Sequence, residues 1–306
     1  MGALVQYDLA DVFTDTALGG NQLAVFTGTV AVDPGLMQAI ALEMNLSETV
    51  FLRPAEAGGD IRAKLYSTVT EVDFAGHPLL GTAAVLAQHQ AADETTLHIE
   101  TNVGVVPVTT RRLGEDRYTA WMRQPLPKVS PVPDEQAAGL LAVLGLQQSL
   151  LPVTLYDAGI PHLYVMADSP EAVRAVVPDF PALGRAAGPG RARINVFALT
   201  GPDTAVTRMF SPYDRVPEDP ACGSAAGPLA AHLVRHGFLA SGVQLTLSQG
   251  EAVNRPSTLY AQVVADQDDI QSIDVGGGVR LIGSGRLRLP GLGGSAARPG
   301  DRTETA

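Results

Sequence analysis

Glu48 lies in Asn45-Leu-Ser-Glu-Thr49, just after a run with helical spacing and just before an apolar run of strand length. A carboxyl at such a junction is open to partial desolvation. Burial raises its pKa toward the range in which it can take and return a proton near neutral pH, so Glu48 is the candidate acid/base. His77 and Asp219 are the next residues able to exchange protons with a ligand or to hydrogen-bond it. They head two Gly-rich turns, Ala75-Gly76-His77-Pro78 and Asp219-Pro-Ala-Cys222-Gly223-Ser224, at places that read as equivalent. Where such a turn opens a helix it leaves backbone N–H groups unpaired, and two of them facing one cleft make a site for an anion. The ligand this favours is small and carries a carboxylate or an enolate-like oxygen, held by N–H groups near Gly76, His77, Gly223 and Ser224 with no basic side chain required. Taken singly, each feature has a plainer reading. Glycine is the default residue of a tight turn, a lone histidine caps or packs, and a lone loop glutamate is solvated.

Cys222 at a helix start invites a nucleophile reading, because that position lowers a thiol pKa. A single free cysteine is more commonly a small buried apolar residue. The six histidines are scattered, and no Cys/His spacing fits a zinc site. Gly20-Asn21 and Gly276-Gly-Gly278 lack the flanks of a P-loop or a dinucleotide fingerprint. No metal and no cofactor are expected. His162, after Pro161 and ahead of an apolar run, is a weaker candidate than His77.

The elements that must position these residues are mostly short strands. Residues 22–26, 49–52, 97–100, 105–108, 162–165 and 243–247 have strand length and strand content. Asp33-Pro34 supplies an N-cap and a first-turn proline, and Leu36, Met37, Ile40, Ala41 and Met44 then share one face, predicting a helix over about 34–45. Two more helices begin at the Gly-rich turns and end near His89 and His236. Their surroundings repeat: Lys64-Leu-Tyr-Ser67 leads to the first turn and Arg208-Met-Phe-Ser211 to the second, the offset drifting only from 144 residues at Ser67/Ser211 to 147 at His77/Ser224. A duplicated half is expected. The proline-dense stretch 123–133 reads as an extended connector between the halves. This gives a first half over 1–126, completed by a last strand at about 279–289, a second half over 127–278, and a disordered tail over 290–306 with no apolar periodicity.

Composition removes whole classes of function. The chain has 306 residues with 21 basic against 32 acidic side chains, a formal charge of −11, which argues against nucleic acid as a partner. The single cysteine cannot close an intrachain disulfide and fits a cytoplasmic setting. The first residues carry no basic n-region, and no apolar run approaches the roughly 18 residues of a spanning helix, so no membrane association is expected.

Gly20-Asn21, Glu43-Met-Asn-Leu-Ser-Glu48, Phe74-Ala-Gly-His-Pro-Leu-Leu-Gly-Thr82 and Glu218-Asp-Pro-Ala-Cys-Gly-Ser-Ala-Ala-Gly227, in this order, resemble the PhzF family of phenazine biosynthesis. The resemblance runs from about residue 5 to about 289. Met122-Arg-Gln-Pro-Leu-Pro127 and Ala225 to Gly237 also follow the pattern of its phenazine-pathway isomerase. It implies an α+β fold like that of diaminopimelate epimerase, two pseudo-symmetric halves that each wrap a β-barrel-like sheet around a central helix. It further implies a homodimer, a small carboxylated cyclic substrate, and a cofactor-free isomerisation of trans-2,3-dihydro-3-hydroxyanthranilate. The family's catalytic glutamate falls on Glu48, its supporting positions on His77, Asp219 and Ser224, and its backbone donors on Gly76 and Gly223.

Three positions depart from the pattern. Gln22 stands where many members have proline, Cys222 replaces a threonine, and Gly159-Ile-Pro-His162 lacks the arginine of a Gly-Pro-Arg-His stretch. Epimerases of the same fold use two opposed cysteines, whereas here Cys222 would face Ala75, which excludes a two-thiol racemase. Two rivals to the isomerase remain. One is a PhzF-like isomerase acting on another secondary-metabolite intermediate, such as an alkylproline precursor, which neighbouring genes would reveal. The other is a non-catalytic dimeric binding protein, which would have no need of Glu48, His77 and Asp219 together.

Overall fold

The computed structural model describes residues 3–28, 32–266 and 269–289. The tail expected over 290–306 lies outside the described residues. The first half runs β1 (Ala3–Val12), β2 (Asn21–Phe26), α1 (Pro34–Met44), β3 (Glu48–Arg53), β4 (Ile61–Ser67), β5 (Glu71–Val72), α2 (Gly76–His89), β6 (Glu94–Thr101), β7 (Gly104–Arg112) and β8 (Arg117–Arg123). There follow β9 (Lys128–Pro131), α3 (Asp134–Leu144), β10 (Thr154–Asp157), β11 (Pro161–Met166), α4 (Pro170–Ala175), α5 (Phe180–Ala187), β12 (Arg193–Leu199), β13 (Thr204–Phe210) and β14 (Glu218–Asp219). The chain then continues through α6 (Gly223–Arg235), β15 (Gln244–Gln249), β16 (Ser257–Asp266) and β17 (Asp269–Leu289).

Strands β1, β2, β3, β4, β6, β7, β8 and β17 pair in that order, and β17 returns to β1, which closes a barrel. The second half repeats the arrangement as an open, barrel-like ring, with β9, β10, β11, β12, β13, β15, β16 and β17 in that order and β9 paired only with β10 among the described residues. In each ring the parallel pairings fall at matching places, β2/β3 and β4/β6 in one, β11/β12 and β13/β15 in the other. Parallel neighbours need a crossover. The crossover from β4 to β6 is α2 and that from β13 to β15 is α6, and both run through the interior of their rings. Residues 76–85 of α2 and 223–233 of α6 are all buried. A helix buried all round is a core element, and Gly81 and Gly227 let these two approach Leu23 and Gln124 closely. The long β17 belongs to both rings: residues 269–276 pair with β16, 274–280 with β8 and 279–289 with β1.

The architecture is the α+β pair of pseudo-symmetric, barrel-like halves that the family resemblance implies, and the repeat marks the two halves. Each anticipated strand lies within or largely within an observed one, and α1 ends one residue short of the expected boundary. Asp33 accepts from Leu36 N at 3.0 Å, Pro34 takes the first turn, and Asn45 adopts φ 53° to stop the helix. That stop turns the chain straight into β3 and makes Glu48 its first residue. The proline-dense stretch is not all connector, because Lys128–Pro131 pairs with β10 and joins the second ring. Helices α3, α4 and α5 were not anticipated. They cover the outside of the second ring through an apolar cluster that includes Leu140, Leu144, Val173, Leu183 and Phe210. Among the described residues no helix is long and apolar enough to cross a membrane.

Candidate active site

The two central helices meet head to head. A Cβ built on Gly76 would lie 2.8 Å from the carbonyl carbon of Gly223, and one on Gly223 would lie 3.1 Å from Gly76 Cα. Only glycine at both places allows this approach. The contact fixes the helix starts, and with them the residues on either side, at the seam between the barrels.

Glu48 comes to this seam from the first barrel and is 9% exposed. Its Oε2 is 3.7 Å from His77 Nδ1 on α2. Asp219, on β14, comes from the second barrel and accepts from Asn21 Nδ2 at 2.6 Å and from Ser47 Oγ at 3.1 Å. Glu48, His77 and Asp219 are thus brought together. They are not at equivalent positions of the repeat, however: His77 is the second residue of α2, while Asp219 precedes α6 and pairs with Met209 as Val72 pairs with Leu65. Strand pairing sets Asp219, so its true counterpart is Val72.

Burial and then the neighbouring Asp219 push the Glu48 carboxyl up to about 8, against the opposing pull of Arg193. Burial likewise raises Asp219, while the Ser47 hydroxyl, Arg193 and the Asn21 amide work to lower it. His77 is pushed down to about 3 by burial, so it is neutral at pH 7. Asn21 Nδ2 lies 3.3 Å from His77 Nδ1. The two hydrogens of that amide are taken by its shorter contacts to Asp219 and the Ala221 carbonyl, so Asn21 does not set which ring nitrogen carries the proton.

Asn21 is the residue that sequence reasoning left out. Its one amide group serves Asp219, His77 and the Ala221 carbonyl at 2.9 Å, which ties the two halves together at the site. The loop ahead of it is held from below. Arg255 pairs with the buried Asp11 at 2.5 Å and donates to the carbonyls of Gly19 and Gly20. Gly20 itself has φ 64°, and a Cβ there would lie 2.3 Å from Val12 O. The Gly20-Asn21 pair was visible as a motif, but nothing in sequence showed what the amide would reach.

On the second barrel, Asn195 Nδ2 donates to His162 Nδ1 at 3.2 Å, and His162 Nε2 is 3.0 Å from Ser224 Oγ. The imidazole therefore gives its proton to Ser224 and leaves the serine hydroxyl hydrogen free to point elsewhere. Cys222 Sγ is 3.3 Å from the same oxygen. Cys222 and Ala75 are the N-cap residues of α6 and α2 respectively. Burial first, then Asp219, drives the thiol upward, so it stays protonated. Cys222→Ser should accordingly keep most of the turnover, read by steady-state kinetics, and a loss as deep as that of a Glu48 variant would make the thiol catalytic.

Two neighbouring cavities that share Arg193, Ser211 and Asp214 mark the cleft. The inner one, about 20 Å³, is bounded by Glu48, Asp219, Arg193, Asp214 and Ser211 among others, and the outer, about 230 Å³, opens between Ser67–Asp73 of the first half and Gly159–Pro161, Arg191 and Arg193 of the second. The inner space holds about one water. Neither Gly76 nor Gly223 lines it, because the two helix starts close on each other, so their N–H groups do not face open space here. A larger cavity of about 540 Å³, against Phe13–Gly19, touches none of the candidate residues. Of the departures from the family pattern, Gln22 points outward from β2, Cys222 packs at the seam, and Gly159–Pro161 lies at the mouth. Among the described residues no group of three His, Cys, Asp or Glu side chains is placed to hold a metal ion.

Two barrel-like halves sharing one strand, each threaded by a buried helix, with Glu48, His77 and Asp219 gathered at the seam, have the diaminopimelate epimerase-like fold. A probable proline racemase from Agrobacterium radiobacter K84 has the same fold at a TM-score of 0.63 and 15% identity, over 94% of this chain and 93% of its own. Residues 10–283 match the PhzC-PhzF family, described as phenazine biosynthesis-like protein, and the chain belongs to it. A PhzF-family phenazine biosynthesis protein from Bacillus anthracis superposes with a TM-score of 0.82 at 21% identity, over 94% of this chain and 100% of that one. The trans-2,3-dihydro-3-hydroxyanthranilate isomerase of Pseudomonas fluorescens is 38% identical over 283 residues, 92% of this chain and 99% of the relative.

Proposed function

We propose that the protein isomerises trans-2,3-dihydro-3-hydroxyanthranilate in a phenazine-type, antibiotic-forming pathway, with Glu48 as the single acid/base. The observation that carries this is Glu48 itself, a carboxyl at the inner end of an inter-barrel cleft whose proton affinity lies in the neutral range. A proton shuttle works best when its pKa lies near the working pH. Ionised Glu48 takes the proton from C3, the electron pair shifts through the ring double bonds, and the same carboxyl returns a proton at C1. The enol so formed tautomerises to the ketone. His77 and Asp219, joined through Asn21, orient the amino and hydroxyl substituents so that both carbons meet one carboxylate. The N–H groups of Gly76, Gly223 and Ser224 are the proposed donors to the substrate carboxylate. A homodimer working in the cytoplasm without a cofactor completes this reading.

Purified protein mixed with trans-2,3-dihydro-3-hydroxyanthranilate should change the ultraviolet absorption of the substrate. An unchanged spectrum would overturn the assignment. The placement of Ile160 and Pro161 at the mouth favours a second reading, an isomerase of the same mechanism on a different ring such as an alkylproline precursor. Turnover of that compound and not of the first would select it.

A further inference from the structure

We propose that Arg193 is the positioning residue of the proton shuttle, standing in the second barrel where Glu48 stands in the first and acting on Glu48 from the opposite wall of the cleft. The inference rests on the assignment of Glu48 as acid/base. Strand register carries the equivalence. Glu48 is the first residue of β3 and pairs across β3/β4 with Ser67. Arg193 is the first residue of β12, and since Ile194 pairs with Phe210, it stands level with Ser211. Ser67 and Ser211 are the same place in the two halves. On the other side, β2 runs parallel to β3 with Leu23 opposite Glu48, and β11 runs parallel to β12 with His162 opposite Arg193. Duplication has thus left a base on one wall and a cation on the other.

The charge pattern shows what that cation does. The inner cavity has three carboxyl groups, Glu48, Asp219 and Asp214, and Arg193 is the basic side chain that borders both it and the outer cavity. Its Nη2 lies 3.3 Å from Asp214 Oδ2, and Asp214 also accepts from Ser211 Oγ. The guanidinium is largely enclosed, so solvent screens its field little. The groups around Glu48 are neutral His77 on α2, Asp219 on β14, Asp214 in the loop after β13, and Arg193 on β12. The two aspartates hold the proton on Glu48, and Arg193 alone among these favours its release. A carboxylated substrate brings one more negative charge to the same space. Without Arg193, Glu48 would stay protonated in the range where it must be ionised to begin the reaction.

Arg193→Gln and Arg193→Lys, made in the full chain, test this through the pH profile of kcat/KM with trans-2,3-dihydro-3-hydroxyanthranilate. Removing the cation should move the Glu48-dependent limb up by about one pH unit, cut kcat/KM about tenfold at pH 7, and let it recover at higher pH. The lysine variant should bring the limb back toward that of the wild type. A limb that does not move, or a loss equal at every pH, would overturn the proposal. Carbon-13 NMR of glutamate carboxyls reads the same effect without turnover, the Glu48 signal being the one absent from Glu48→Gln. If the wild type leaves the substrate unchanged, the proposed reaction fails, while an upward Glu48 titration in Arg193→Gln still upholds Arg193 and an unmoved one rejects it.

Discussion

Glu48→Gln should lower turnover by at least about 10²-fold, the usual worth of a positioned acid/base, and at the same time make the protein melt at a higher temperature above pH 8. Both effects have one origin. The buried carboxyl has its pKa lifted from 4.5 to about 8, by burial first and then by Asp219. A group with a higher pKa folded than unfolded stabilises the fold fully below its unfolded value, and that contribution is lost as pH rises through the folded one. Wild-type stability should therefore drain away between about pH 4.5 and 8 on account of this residue. Glutamine has the same shape and no charge to bury. Each pKa unit corresponds to about 1.4 kcal/mol, so a difference of at least about 2 °C in melting temperature is expected at pH 8.5, shrinking toward pH 5. Undiminished turnover would sink the mechanism, and a variant that melts below the wild type at every pH would sink the electrostatic account of the site.

The same residue shows how far the sequence reaches. The cap at Asp33-Pro34 and the stop at Asn45 are local, and they place Glu48 at the head of a strand before any contact is known. Repetition of Ser67 at Ser211 marked the second half in the same way. What stayed hidden depends on register between distant strands. Asn21 is 198 residues from Asp219, and Arg193 reveals itself as the mate of Glu48 only when β12 is paired with β13. The closure of Gly76 on Gly223 likewise belongs to neither turn alone. Other omissions were of reading. Ser169-Pro170 and Asp179-Phe-Pro181 carry the cap-and-proline signal that located α1, and both do cap helices, through Ala172 N and Ala182 N. The helices they open have six and eight residues, too few for a periodic apolar face to stand out.

Gly76→Ala is expected to damage activity and stability together, although it adds only one methyl group. That methyl would lie 2.8 Å from the Gly223 carbonyl carbon, 2.9 Å from Gly223 Cα and 2.8 Å from Met122 Cε. The methionine can turn aside. The backbone of α6 cannot, because it is enclosed by the second barrel along residues 223–233. Relief must come from parting the two helix starts, and the 2.6 Å bond from Asn21 to Asp219 crosses the same seam. Overpacking of this kind costs about 1–3 kcal/mol, and misplacement of reacting groups by about 1 Å costs about 10²-fold in rate. Gly139 provides the contrast, since it lies inside α3 and a Cβ there meets nothing within 4 Å. Gly139→Ala should leave turnover alone and raise the melting temperature slightly, through the helix preference of alanine. If Gly76→Ala behaved like Gly139→Ala in kinetics and thermal melts, the contact between the helix starts would have no part in holding the site.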